Sequence, residues 1–225
     1  MKNFDITIYG HLSYDNIYEG FNYKSSVGCM GNVWNQLKLI NPNIRLRLEP
    51  TDIGESLIMV DKDHSKRTSI SRLSLKTRTP VIYDSQVSHI MYLNELTNTS
   101  FIQGLNGFVV ADTCNGKPIQ IDASALSNID LLLISDEDLN VDVMKLASLV
   151  RYGVLVHYPT GSILHTKIGF KQFGAELVKN INVLGAGDKF AAYILAGLLD
   201  SADDLPKVIQ QAHNSLTDYF KNEKI

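Results

Sequence analysis

The 225-residue chain has only two cysteines, one tryptophan and six prolines. Cys29 and Cys114 lie far apart and lack metal-ligand spacing. A disulfide framework is therefore not expected, and a reducing compartment fits. Long apolar runs are also missing: no window approaches the ~18 consecutive apolar residues of a membrane span. The opening Met1-Lys2-Asn3-Phe4-Asp5 puts an acidic residue where a secretory leader wants an apolar stretch. A cytoplasmic protein with no membrane partner is the expectation. Charge of one sign is scarce as well, with 21 Lys and Arg against 24 Asp and Glu and a net charge of −3. No basic run marks a face for nucleic acid, so that partner is not expected either.

A hydrophobic content of 44% can bury a sizeable core, and this length suggests one domain with at most a small appendage. Short apolar runs fall at 4–10, 57–60, 89–93, 108–111, 129–134 and 153–156. Several are continuous rather than alternating, as in strands buried on both faces. Candidate helices at 31–41, 98–105 and 141–151 lie between them, which predicts a parallel sheet covered by helices. The stretch 43–83 differs. It is polar, carries Arg45, Arg47, Arg67, Arg72 and Arg78, and alternates over 68–75. Half-exposed antiparallel strands forming a lid or dimerisation flap are expected there, with a long surface excursion as the alternative. Residues 188–199 read as a buried apolar helix and 205–221 as an amphipathic one.

The most informative segment is Asn182-Val183-Leu184-Gly185-Ala186-Gly187-Asp188-Lys189-Phe190. A glycine-rich turn opens directly onto an apolar helix. Glycines let backbone amides approach an anion, and the helix N-terminus adds partial positive charge. Phosphate is the natural guest, and a carboxylate beside it can accept the proton of an attacking hydroxyl. The alternative for Asp188 is a simple helix cap. A Walker-type loop is absent, and a dinucleotide fingerprint would need a third glycine and a following strand.

This segment resembles the C-terminal signature of the ribokinase-like (PfkB) sugar kinases, D-T-x-G-A-G-D-x-F. By that resemblance Asp188 is the catalytic base, and Gly185, Ala186 and Gly187 form the anion hole. Asn182 and Val183 stand where the family has Asp-Thr, with Asn182 at the cofactor. Tyr193 replaces a common glycine, a change that reads as packing. Gly10-His11-Leu12-Ser13-Tyr14-Asp15 is similar to the family's first-strand motif, which makes Asp15 a ligand of substrate hydroxyls. Val27-Gly28-Cys29-Met30-Gly31-Asn32-Val33-Trp34 resembles its G-G-x-x-x-N-x-A loop, with Gly28 and Asn32 at the substrate. Trp34 would stack on a ring or fill the core. Ser135-Asp136-Glu137-Asp138 resembles N-x-x-E, which makes Asp138 the magnesium position. Residues 152–166 resemble the strand–turn–strand beside the nucleotide, with Gly161 as a contact, and Arg67 lies on the lid strand. The histidines read as surface or core residues.

The resemblance implies an α/β fold: a three-layer sandwich with a mostly parallel central sheet and a small β lid. A single domain would cover 1–225, with the lid built from parts of 11–27 and 43–83. It also implies ATP-dependent phosphoryl transfer, with Mg2+, to a primary hydroxyl of a small sugar, and a possible homodimer through the lid. Two alternatives stay open: a weak or inactive relative that binds a sugar or nucleotide as a sensor, and a kinase of a nucleoside or vitamin-like alcohol.

Overall fold

The continuous apolar runs become strands whose successive side chains enter two different cores. In the computed structural model, which describes residues 4–60, 67–74 (side chains of Thr68 and Ile70 only), 78–115, 121–136, 141–179 and 184–222, all ten strands join one sheet. The elements, in chain order, are β1 (Phe4–Glu19), β2 (Asn22–Val27), α1 (Gly28–Ile40), β3 (Leu46–Val60), β4 (Arg67–Ser74), β5 (Ser85–Ile90), β6 (Phe108–Asp112), α2 (Ala123–Leu126), β7 (Leu131–Ser135), α3 (Val143–Leu149), β8 (Gly153–Tyr158), β9 (Gly161–Thr166), β10 (Gly169–Gly174), α4 (Ala186–Ser201) and α5 (Leu205–Asn222). The sheet order is β10-β9-β8-β7-β6-β5-β1-β3-β4, with β2 paired to β1. The strands from β8 to β3 run parallel, and β9 and β10 close that end as an antiparallel pair.

Alternation within each strand assigns the layers. Leu131 and Leu133 of β7 join Ile6, Ile8, Val87 and Leu155 against α1, α4 and α5. Leu132 and Ile134 join Tyr9, Ile90, Val109 and Val154 against α2, α3 and two 3-10 turns, Leu93–Glu95 and Ser100–Gly104. The result is the three-layer α/β sandwich with a mostly parallel sheet that the sequence suggested. The helix expected at 98–105 is a 3-10 turn instead.

Two strands outrun the sandwich. β1 is 16 residues long and β3 is 15, and they pair in parallel over nearly their whole length. As far as Tyr9, β1 has β5 on its other side; from Tyr14 that neighbour is β2. The changeover sits at Gly10, with φ +134° and a register shift to His11. A Cβ there would lie 2.3 Å from the Met91 carbonyl oxygen, so backbone sterics demand glycine. Beyond it, β2, the far half of β1, the far half of β3 and β4 form a four-stranded outer sheet.

The sequence pointed to a short apolar run at 57–60 within a polar stretch, whereas the strand there begins at Leu46. Pro50 pairs with Gly10 at the irregularity, where a residue without an N–H is tolerated, and the strand runs through. Antiparallel pairing in 43–83 holds for β4 on β3, whereas β3 itself is parallel to β1. The inner face of the outer sheet buries Ser13, Asp15, Ile17, Ser56, Ile58 and Val60. Ile17, Ile58 and Val60 cluster with Leu184, the residue before Gly185, so the outer sheet rests on the turn that opens α4.

Candidate active site

α1 and α4 pack side by side, and residues near their N-termini meet at one point. Gly185, in the left-handed region at φ +76°, turns the chain into α4. Among the described residues no side chain caps this helix, so its first amides, including those of Ala186 and Gly187, face the site without a capping acceptor. Asp188, in the first helical turn, is buried, and its Oδ2 accepts a 2.7 Å hydrogen bond from Asn32 Nδ2 of α1. Ser26 Oγ donates to the other end of that amide, Asn32 Oδ1, at 3.4 Å.

The outer sheet supplies a second carboxylate. Ser13 Oγ lies 2.6 Å from Asp15 Oδ1 and 2.9 Å from Ser56 Oγ. Ser13 and Ser56 lie on β1 and β3, so the parallel register of these strands brings the two hydroxyls together. Gly28, the first residue of α1, is buried against this group. A Cβ on it would come within 2.9 Å of Ser13 Cβ and 3.5 Å of Asp15 Oδ1. Asp15 and Gly28 thus meet in one group and Asn32, Asp188 and the Gly185 bend in another, and α1 carries a member of each, Gly28 and Asn32.

Gly161 opens β9 with φ +145°, where a Cβ would meet the Phe173 carbonyl oxygen at 2.0 Å, so close strand packing accounts for the glycine. It lies one rung from the His157–Ser162 pair. Asn182 and Asp138 fall outside the described residues, as does the side chain of Arg67. Tyr193 packs between helices and accepts a hydrogen bond from Gln36 Nε2 at 3.2 Å, as a packing residue should. Trp34 is half-buried and packs against the α1–α4 core with Lys38 near its ring.

Several further residues surround the site, most of them not singled out from the sequence. Cys29 Sγ, one residue past Gly28, accepts from Tyr92 Oη at 3.1 Å. Contact with Cys114 pulls the Cys29 thiol down, but burial and the Asp188 charge outweigh it and leave it raised. Burial likewise pushes the Cys114 thiol well up. Neither is a ready nucleophile. Among the described residues, Tyr92 and Cys114 are also the two non-glycine residues with positive φ, each at 56°. His157, at the end of β8, is no ordinary core residue: its Cε1 lies 3.6 Å from where a Cβ on Gly187 would be. Burial lowers its pKa to about 4, so the ring beside the turn is neutral. A histidine closing a parallel strand was the available signal, since ligand clefts form at the carboxyl ends of such strands.

Among the described residues no group of three or more His, Cys, Asp or Glu is arranged to hold a metal ion. The open helix start, flanked by glycines, fits the phosphates of a nucleotide.

Three solved structures share this architecture. The nucleoside kinase of Burkholderia thailandensis in complex with inosine is 14% identical, with a TM-score of 0.70 and coverage of 97% of this chain and 92% of that one. A pyrophosphate-dependent kinase in the ribokinase family, in a sulfate complex, is 14% identical, with a TM-score of 0.68 and coverage of 96% and 95%. Ribokinase from Thermotoga maritima is 16% identical, with a TM-score of 0.65 and coverage of 98% and 100%. The likeness is one of fold, and the chain has the ribokinase-like fold. No protein-family model matches the sequence, and a search of curated proteins finds no match either.

Proposed function

We propose that this chain is a kinase that transfers the γ-phosphoryl of ATP to a primary hydroxyl of a small sugar. The observation that carries this reading is the Asn32–Asp188 hydrogen bond at an uncapped helix start, which holds a carboxylate beside amides suited to phosphate. In this mechanism Asp15 and Asn32 bind the acceptor's hydroxyls through charge-assisted and amide hydrogen bonds. Asp188 takes the proton of the attacking hydroxyl while its oxygen bonds to the γ-phosphorus and the β–γ bridge breaks, leaving ADP. The amides of Gly185, Ala186 and Gly187 stabilise the charge on the moving phosphoryl group. Gly161 and Asn182 would lie along the nucleotide. Magnesium, when bound near Asp138 with ATP, supplies charge neutralisation on the phosphates. The outer sheet is the lid, and holding it over the turn through Leu184 would keep water from the reacting atoms.

A sugar and a nucleoside share the chemistry that this site addresses, a diol beside a hydroxymethyl group. Structural neighbours include kinases named for nucleosides, ribose and myo-inositol, so the acceptor screen must span all three. The test is ADP release over that panel, with Asp188→Asn expected to lose ~10²–10⁴-fold in kcat. Binding of sugar or ATP by calorimetry without turnover would replace this reading with a sensor.

The same reading gives the outer face of the lid to a second copy of the chain. Tyr14, Tyr18, Tyr23, Ile53, Leu57, Met59 and Ile70 are all exposed there. A contiguous apolar patch of this kind marks an interaction surface. In this reading the enzyme works in the cytoplasm.

A further inference from the structure

Lys189 breaks a local rule. It sits in the first turn of α4, where the helix dipole is positive and a cation is disfavoured. Its ammonium does not swing away into solvent. It lies 5.1 Å over the ring of Tyr219 from α5, and 3.8 Å from where a Cβ on Gly185 would stand. Asn32 Nδ2 and Asp188 Oδ2 are 3.4 and 3.7 Å from that same point. Among the described residues Lys189 forms no salt bridge, although the Asp188 carboxylate lies near the same bend. A lysine, the first amides of α4 and the helix terminus are all positive, and the Asp188 carboxylate is the negative group beside them. The balance at the bend is positive and favours a further anion there.

We infer that Lys189 is a phosphate clamp for the phosphoryl donor: steered by the Tyr219 ring, its ammonium engages the donor's terminal phosphate at the Gly185 bend. This rests on the kinase reading and adds to it that donor recognition depends on the polyphosphate end at least as much as on the base. Inorganic pyrophosphate should therefore bind the same turn and compete with ATP. Lysine suits the task as a compact point charge on a flexible stem.

The test measures binding rather than turnover alone. The probes are inorganic pyrophosphate and a non-hydrolysable ATP analogue with magnesium, titrated calorimetrically into wild type, Lys189→Met, Lys189→Gln and Lys189→Arg. Thermal melting first establishes which variants fold. Loss of a charge-assisted bond to phosphate should weaken both probes ~10–100-fold in the Met and Gln variants, with Arg recovering part of the loss. The acceptor's KM should stay within about twofold.

If wild type binds the probes and a folded Met or Gln variant binds them equally well, the clamp is wrong while the kinase reading stands. A donor affinity that does not move, together with a shifted acid limb of the kcat–pH profile, would also overturn it, because Lys189 would then act on the Asp188 carboxylate. If wild type binds neither probe, the clamp and the kinase reading fall together.

Discussion

The two ends of β1 live in different worlds. Its first half lies between β3 and β5, with side chains buried on both faces by helices and 3-10 turns. Its second half lies between β2 and β3 in a sheet with one covered face, where a small apolar cluster and a polar trio, Ser13, Asp15 and Ser56, look inward. One residue, Gly10, separates the two regimes. The comparison teaches how the labour is divided. On the proposed kinase reading, the sandwich would hold the Asp188 carboxylate and the amides of α4, while the outer sheet would bring the groups that choose the acceptor.

If that division is right, damage to each half should read out differently. The largest loss belongs to the sandwich: Asp188→Asn should collapse kcat while leaving the melting temperature and ligand binding largely intact. Asp15→Asn on the outer sheet should act mainly on acceptor KM, raising it ~10–100-fold with kcat much less affected. Steady-state kinetics distinguishes the two, and a kcat collapse in both variants would break the comparison.

Gly10→Ala addresses the junction itself. The new Cβ strikes the Met91 carbonyl in a backbone region that L side chains avoid, which should lower the melting temperature by roughly 4–10 °C.

Acid should loosen the sandwich next. His89 in β5, His157 in β8 and His213 in α5 all have pKa values lowered to about 4, chiefly by burial, with His157 adding to the His213 shift. Unfolded, each would titrate near 6.5, so between ~6.5 and 4 the unfolded chain binds more protons. Stability is therefore full above ~6.5 and declines as pH falls toward 4. Circular-dichroism melts at pH 7 and pH 5 should differ by several degrees, and an unchanged melting temperature would contradict the burial of these rings. The smallest effect on folding is expected for Leu57→Glu on the exposed face of the outer sheet, which should turn a dimer into a monomer in sedimentation while the melting temperature moves little.

Much of this was legible beforehand, for identifiable reasons. The parallel strands announce themselves because burial on both faces demands unbroken apolar runs, and Gly185-Ala186-Gly187-Asp188 marks a turn onto a helix because Gly185 takes the left-handed region there. β3 was only half legible. Its proline and glycine argue against a strand until β1 lies alongside and the irregularity at Gly10 absorbs them. The 3-10 turn at 100–104 shows the converse, helical periodicity in a segment too short to hold a full helix. At the site, Asp15 and Asn32 could be picked out as candidates, whereas His157 and Lys189 could not. His157 carried only the signal of a histidine near the end of a parallel strand, and Lys189, although next to Asp188 in sequence, gave no sign that its ammonium would lie over Tyr219.

By itself, then, the sequence determined the layered α/β architecture and the glycine turn that opens α4, because hydrophobic periodicity and glycine stereochemistry act over neighbouring residues. Tertiary structure alone decided that Asn32 would grip Asp188 across 156 positions and that Ser13 would meet Ser56. These contacts follow from the docking of α1 on α4 and the parallel run of β1 beside β3, arrangements held together by cores assembled from the whole chain.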